Sequence, residues 1–218
     1  MFTGIIEEIG ILKKREAKGD GFLLKISAKE VLKKTKNGDS IAINGACQTV
    51  TKIGADFFQV FVSKITASLT TLSSLKVNQT LNLERAMLPT SRFGGHLVQG
   101  HVDTKGKIKK IIPGQNGSEI EINIPDEYKK YLISKGSITV DGISLTIVSL
   151  TKDGFIIYLI PETLGSTIAE RWQINDEVNL ETDLIAKYIE NMLMAKENNS
   201  IDKGNKKLKN KLMEEGFL

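Results

Sequence analysis

At 218 residues, 40% hydrophobic and 26% charged, the chain has an ordinary globular composition and length enough for two modest domains or one large one. The formal charge is only +4. Much of that excess sits in Lys203, Lys206, Lys207, Lys209 and Lys211, which argues against a nucleic-acid-binding surface.

One cysteine rules out an intramolecular disulfide framework, and one cysteine with two histidines is poor material for a structural zinc site. No stretch approaches the roughly 20 apolar residues of a membrane span. The acids Glu7 and Glu8 stand where a secretory leader wants bases and an apolar run. A cytoplasmic setting, with neither membrane nor nucleic acid as partner, is expected.

From Phe2 to Gly10 the pattern predicts a strand and a turn, with Ile5, Ile6 and Ile9 bracketed by Gly4 and Gly10. Gly21 to Ser27 alternates through Phe22, Leu24 and Ile26, a second strand. Ser27-Ala28-Lys29-Glu30 reads as a capping box, so a short helix is expected through Val31 and Leu32 as far as Asn37-Gly38. Ile41 to Ile43 and Cys47 to Ile53 are predicted strands joined through Asn44-Gly45, a dipeptide that accepts the positive φ of a tight turn. Phe57 to Val62 is another strand, Thr66 to Leu75 a short helix, and Gln79 to Arg85 a closing strand.

Past Pro89 the same order starts again. Val98-Gln99-Gly100-His101-Val102 falls on Phe2-Thr3-Gly4-Ile5-Ile6, and then Asn44-Gly45-Ala46-Cys47-Gln48-Thr49-Val50 on Asp141-Gly142-Ile143-Ser144-Leu145-Thr146-Ile147. The spacing from Gly45 to Gly142 is 97 residues (142 − 45). The same offset carries Leu81-Asn82-Leu83-Glu84 onto Val178-Asn179-Leu180-Glu181. Agreement that runs to the last strand of each half indicates a duplicated domain. Some six short strands per half, separated by glycine-containing turns, suggest a small closed barrel, which removes exposed sheet edges. The expected divisions are 1–88, 96–184 and 185–218. Leu184, Ile185, Tyr188, Ile189, Met192 and Leu193 recur at helical spacing and predict one apolar helical stripe. The end from Asn198 on reads as polar and mobile.

Met1-Phe2-Thr3-Gly4-Ile5, Asn44-Gly45-x-Cys47-x-Thr49-Val50, Gly94-Gly95-His96-Leu97 with Gly100-His101, Asp141-Gly142-Ile143-Ser144-Leu145-Thr146 and Ile160-Pro161-Glu162-Thr163-Leu164 together make a set that resembles the α-type riboflavin synthases. The resemblance implies an all-β chain of two tandem six-stranded Greek-key barrels with short helices, and a C-terminal helix that gathers a homotrimer. It implies a cofactor-free, metal-free transferase. Two molecules of 6,7-dimethyl-8-ribityllumazine meet at each site, and a four-carbon unit passes between them to give riboflavin and 5-amino-6-(ribitylamino)pyrimidinedione. It further implies sites shared between neighbouring subunits and lumazine synthase as a candidate partner.

Twin barrels suit a reaction that binds one substance twice, and the twins part visibly at Cys47 and Ser144. The resemblance makes Cys47, His101, Ser144 and Asp183 the catalytic candidates: a thiol, a proton carrier, a hydroxyl and a terminal carboxylate. Phe2, Gly4, Ser40, Thr49, Thr66, Val102, Thr146, Glu162 and Thr163 are the substrate-binding candidates. His96 reads as part of the crossover between halves, where Gly94-Gly95 is expected to turn the linker sharply. Asp183 also fits a helix N-cap.

Two departures stand out. Ile65-Thr66 replaces the acidic residue and threonine that Glu162-Thr163 keeps, and Gln48 stands where an apolar residue is usual. On a strand, position 48 faces away from Cys47. The rival reading is a non-catalytic lumazine- or flavin-binding protein, which the presence of Cys47, His96 and His101 disfavours.

Overall fold

The computed structural model describes residues 1–195 and Met213. The chain divides into two compact units, Met1–Asp183 and Leu184–Leu218. The first unit holds two closed antiparallel barrels. One is built from β1 (Glu8–Lys18), β2 (Gly21–Ser27), β3 (Ser40–Ile43), β4 (Ala46–Ile53), β5 (Phe57–Val62) and β6 (Thr80–Arg85), with α1 (Lys64–Leu69) and a 3-10 turn at Thr71–Ser74. The other repeats it with β7 (Thr104–Gly114), β8 (Gly117–Asn123), β9 (Ser137–Val140), β10 (Ile143–Leu150), β11 (Gly154–Leu159) and β12 (Glu177–Thr182). Its helices are α2 (Asp126–Lys129) and α3 (Pro161–Ser166), followed by a 3-10 turn at Ile168–Arg171.

The strand orders are β1-β2-β5-β4-β3-β6 and β7-β8-β11-β10-β9-β12, each closing on itself. Even the irregularities are duplicated. Register shifts at Leu12/Lys14 and Val50/Lys52 recur at Ile108/Lys110 and Ile147/Ser149, extra residues that sharpen strand curvature where a small barrel needs it. Alternating side chains on strands such as β2 and β5 fill the interior, while β3, β6, β9 and β12 are buried along nearly their whole length. Phe58 and Phe155, Val60 and Ile157, and Leu83 and Leu180 are fully buried pairs of equivalents, each worth about 1.5–3 kcal/mol of apolar burial.

Two predicted elements change character. The strand expected from Phe2 starts at Glu8 instead, and Phe2 makes only an isolated bridge with Val98. The reason lies in Gly4, whose φ of 78 turns the chain before the barrel begins. The helix expected after Ser27 is a run of turns. Its amide groups are capped from outside, because Glu8 accepts the N–H of Lys29 at 2.6 Å and of Val31 at 3.0 Å. Lys34 at φ 64 then breaks any helical continuation.

The barrels meet at their β3–β4 and β9–β10 turns. Asn44-Gly45 and Asp141-Gly142 take positive φ, 44 and 79 in one, 45 and 81 in the other, the type I′ geometry that such dipeptides favour. Around them Asn82 and Asn179 bond reciprocally across the interface. The Asn82 amide donates to the Asp141 carbonyl at 2.9 Å and accepts the Ile168 N–H at 2.8 Å. The Asn179 amide donates to the Asn44 carbonyl at 2.7 Å and accepts the Thr71 N–H at 2.7 Å. Residues before each barrel also cross over. Ile6 packs on the core of the second barrel and Val102 on that of the first.

In the second unit the chain is helical over 184–195 (α4). Ile185, Tyr188, Ile189, Met192 and Leu193 are each more than half exposed, so the apolar stripe is present. The segment from Asn198 read as mobile lies outside the described residues, Met213 excepted. Among the described residues no helix is long and apolar enough to cross a membrane.

The interface has one asymmetry with a measurable consequence. Asn44 accepts the Asn82 N–H at 2.8 Å, as Asp141 accepts that of Asn179 at 2.8 Å. The equivalent of Leu75, however, is Trp172, whose indole N–H donates to the second oxygen of Asp141 at 3.2 Å. A carboxylate accepts on both sides; an asparagine would turn its NH2 toward the indole. Complete burial, with a smaller contribution from Asp176, pushes the Asp141 carboxyl up to about 7 from 3.8. Between those two values the folded state holds a proton that the unfolded state has lost, so stability falls as pH rises through the window and is flat above it. Replacing Asp141→Asn together with Trp172→Leu copies the first barrel. Urea unfolding at about pH 4.5 and about pH 7.5 is expected to show a smaller decline for the double variant than for the parent; equal declines would exonerate Asp141.

Candidate active site

Two short backbone straps run between the barrels. Residues 2–4 and 98–100 pair through Phe2 N–H to Val98 O at 2.7 Å and Val98 N–H to Phe2 O at 3.2 Å. Each strap is gripped by a buried carboxylate of the strand that closes its own barrel. Glu84 accepts the Thr3 N–H at 2.6 Å, the Thr3 hydroxyl at 2.7 Å and the Gly4 N–H at 3.0 Å. Glu181 accepts the Gln99 N–H at 2.7 Å and the Gly100 N–H at 2.9 Å. Burial pushes the Glu84 carboxyl above its ordinary value, with the bonds from Thr3 and Gly4 pulling against it.

On the outer face of three strands in each barrel, cross-strand neighbours form two rows. In the first barrel Glu84, Ala42 and Cys47 make one row, and Ser40 and Thr49 face each other in the next. In the second, Glu181, Thr139 and Ser144 make the equivalent row, with Ser137 and Thr146 beside it. The positions between them, Ile41 and Gln48 in one barrel and Ile138 and Leu145 in the other, are all buried. The rows are alike in geometry and opposite in polarity. Ala42 and Cys47 cluster with the fully buried Phe2 and with Val98 and Ala86. At the equivalent place, His96 bonds through Nδ1 to the Ser144 hydroxyl at 2.7 Å and through Nε2 to the Thr139 hydroxyl at 3.2 Å.

Burial holds the His96 imidazole below its ordinary 6.5, opposed by the charge of Asp183. At neutral pH the ring is therefore uncharged, and either tautomer satisfies both contacts because each hydroxyl can donate or accept. A neutral imidazole against a hydroxyl is placed to take its proton.

The expected residues fall into three groups. Cys47, Ser40 and Thr49 share the first face, and Ser144 and Thr146 the second, as the duplicated motifs implied. Gly4 lies against Ser144, and Phe2 lies in the cluster with Cys47. Asp183 is close enough for its charge to favour protonation of His96. The imidazole bonded to Ser144 is His96, read from the sequence as a crossover residue; His101 is exposed. Thr66 stands on α1, where its N–H is capped by Ser63, and Glu162 and Thr163 stand on α3 with Glu162 exposed. Ile65, in the place equivalent to Glu162, is 73% exposed. Val102 is taken up by the core of the first barrel.

Two sequence readings gain detail from the structure. Gly95 lies at a bend in the linker, without positive φ. It is also needed for close approach: a Cβ there would lie 2.1 Å from the Thr3 carbonyl and 2.9 Å from the Ser144 Cβ. Gln48 is buried and faces away from Cys47 as expected, yet its amide reaches back to the Cys47 carbonyl at 2.7 Å, so it braces the site's backbone.

A cleft of about 580 Å³ opens beside the first row, running from Thr3 and Ser40 past Glu84 and Ala86 to Arg92, a volume suited to a small molecule. A second cavity, of about 500 Å³, lies over the paired turns at Asn44, Asp141 and Trp172 and holds none of the expected catalytic residues.

A family model described as the lumazine binding domain matches residues 3–86 and again 99–183. The chain is 40% identical to the riboflavin synthase of Photobacterium phosphoreum over 219 residues, covering 100% of both chains. The chain belongs to the riboflavin synthase family of lumazine-binding proteins. It is also 43% identical to the riboflavin synthase of Actinobacillus pleuropneumoniae over 90% of this chain and 91% of that one. Among solved structures it is similar in fold to LumP complexed with riboflavin, with a TM-score of 0.76 and 25% identity over 84% of this chain and 99% of that one. LumP complexed with 6,7-dimethyl-8-(1'-D-ribityl) lumazine matches with the same TM-score at 23% identity.

In this family member only two histidines exist, so proton NMR can follow His96 directly. It is expected to titrate below 6.5, and Asp183→Asn, which removes the opposing charge, is expected to lower it further. A titration at or above 6.5 would mean that the ring is not held in the buried, neutral state described.

Proposed function

We propose that this chain is a riboflavin synthase: a transferase that moves a four-carbon unit between two molecules of 6,7-dimethyl-8-ribityllumazine, giving riboflavin and 5-amino-6-(ribitylamino)pyrimidinedione. The observation that carries the reading is one outer-face site built twice with opposite polarity, in a chain 40% identical to a riboflavin synthase along its full length. The two products together contain every atom of the two substrates, so the exchange needs no external oxidant or reductant. The C7 methyl of the substrate is intrinsically acidic, because its anion spreads into the pteridine ring. Holding two copies in register therefore does much of the work, and such positioning can supply about 7–11 kcal/mol.

The difference between the faces supports different roles for the two bound molecules. Ser144, paired with neutral His96 and with Asp183 nearby, suits proton removal and return at one molecule. Cys47, in an apolar setting with Phe2, suits addition to the other. Ser40, Thr49 and Thr146 are the polar contacts for substrate, with Thr66, Glu162 and Thr163 reaching in from the short helices. His101, exposed just past the second strap, is the further proton-carrier candidate, while Val102 behind it packs on the core of the first barrel. The division into binding barrels 1–88 and 96–184 and an oligomerising segment from 185 belongs to the same proposal, as do the cytoplasmic setting and lumazine synthase as partner. The exposed stripe on α4 supports a homotrimer, with each complete site formed by the first barrel of one subunit and the second barrel of the next.

Purified protein mixed with 6,7-dimethyl-8-ribityllumazine is expected to develop flavin absorbance, and Cys47→Ala is expected to bind the substrate yet lose at least about tenfold in turnover. Binding without any flavin in the parent protein would reassign the chain as a lumazine-binding protein. Mixing inactive Cys47→Ala protein with inactive Ser144→Tyr protein is expected to restore activity as subunits exchange. Verified mixed oligomers that stay inactive would sink the shared site.

A further inference from the structure

We propose that Glu84 and Glu181 are positioning residues that act across the molecule. Each grips the strap of its own barrel and, through that strap, sets the reactive residue of the other barrel. The idea rests on Cys47 and Ser144 being the reactive members of the two faces, as argued above, but its test needs no turnover.

The connection runs through a single residue on each side. Glu181 accepts the Gly100 N–H at 2.9 Å, and the carbonyl of the same Gly100 accepts the Cys47 N–H at 2.8 Å. Gly100 thus has its amide held by the second barrel and its carbonyl held by the first. Its Cα presses on the thiol-bearing residue so closely that an added Cβ would lie 2.7 Å from the Cys47 Cβ and 2.8 Å from the Phe2 ring. The other side repeats the arrangement in reverse. Glu84 of the first barrel accepts the Gly4 N–H at 3.0 Å, and the Gly4 carbonyl accepts the Ser144 N–H at 2.7 Å. An added Cβ at Gly4 would lie 2.6 Å from the Ser144 Cβ. Both glycines have positive φ, 78 and 77, a conformation that a side chain would strain as well as crowd.

The chemistry explains why the gripping group is a carboxylate. Two successive backbone N–H groups point at it, and both of its oxygens accept. Glutamine has nearly the same shape but presents one oxygen and one NH2, so one strap N–H would face another donor. Both glutamates are buried, at 4% and 3% exposure, so water has little room to make good the loss. Neither side chain belongs to the reactive pair it governs.

Cys47 is the only cysteine, so the rate of its alkylation by iodoacetamide reads the setting of that one residue. Glu181→Gln is expected to speed alkylation at least about threefold by freeing the strap over Cys47, whereas Glu84→Gln is expected to stay within about twofold of the parent. The two substitutions are matched in chemistry and burial, so each controls for the other. Equal acceleration by both would indicate general loosening and overturn the crossed coupling. No acceleration by Glu181→Gln would overturn it equally. If that variant does not fold, Glu181→Asp, which keeps the charge but withdraws it from the strap, takes its place with the same expectation. Alkylation is measured without substrate. Protein that makes no flavin but shows the crossed pattern would therefore sink only the proposed reaction, while active protein without the pattern would sink only this coupling.

Discussion

The approach of Gly45 to Gly142 leaves no space for one more carbon on either side: a Cβ on each would sit 2.7 Å from the backbone nitrogen of the other. That contact fixes the distance and orientation of the two barrels, and everything beyond it inherits the result. Asn82 and Asn179 reach across only because the turns touch. Each of their bonds contributes about 0.5–1.5 kcal/mol net, and leaving its buried partner unsatisfied costs about 1–3 kcal/mol. The reciprocal crossing makes the interface act as a unit, since a shift that loosens one asparagine loosens its counterpart. The straps lie on top of this arrangement, and Cys47 and Ser144 lie against the straps. Precision at Cys47 and Ser144 is therefore borrowed from a glycine contact two residues away in each chain segment.

Duplication alone would give two identical faces, useful for binding and poor for a reaction in which one molecule gives and the other takes. The differences that give the two faces opposite polarity sit together. Ala42 against Thr139 and Cys47 against Ser144, with Phe2 beside one row and His96 from the joining segment beside the other, change a row from apolar to polar without altering a strand or a register. The framework can stay symmetric because these differences are confined to side chains outside the two barrel cores.

Much of this was legible in the sequence because the repeat repeats its punctuation. Asn44-Gly45 and Asp141-Gly142 announce their turns, and alternation through Phe57–Val62 or Gly21–Ser27 announces strands buried on one side. The failures have physical causes. The capping box after Ser27 was outbid by Glu8, a carboxylate distant in sequence that took the amides a helix would have kept. Phe2 has the composition of a strand residue but pairs with a partner 96 positions away (98 − 2), which no local pattern encodes. His96 looked like linker because its meaning depends on Ser144 and Thr139, neighbours only in the fold. Glu84 and Glu181 did leave a trace: a charged residue repeated at the same place in two strands that otherwise read as buried. Polar residues kept twice in an apolar strand mark an interface or a grip on backbone.

His96 has no counterpart in the first half, and the reason is arithmetic. Joining two copies of a module end to end creates two modules but one joint. Whatever the joint contributes, it can contribute to only one of them, so a tandem fusion cannot remain symmetric however faithfully its halves are copied. In this molecule the joint passes over Ser144 at Gly95 and leaves an imidazole there. The division of labour between two otherwise matched faces can thus begin with the act of fusion itself, before any residue inside either module has changed.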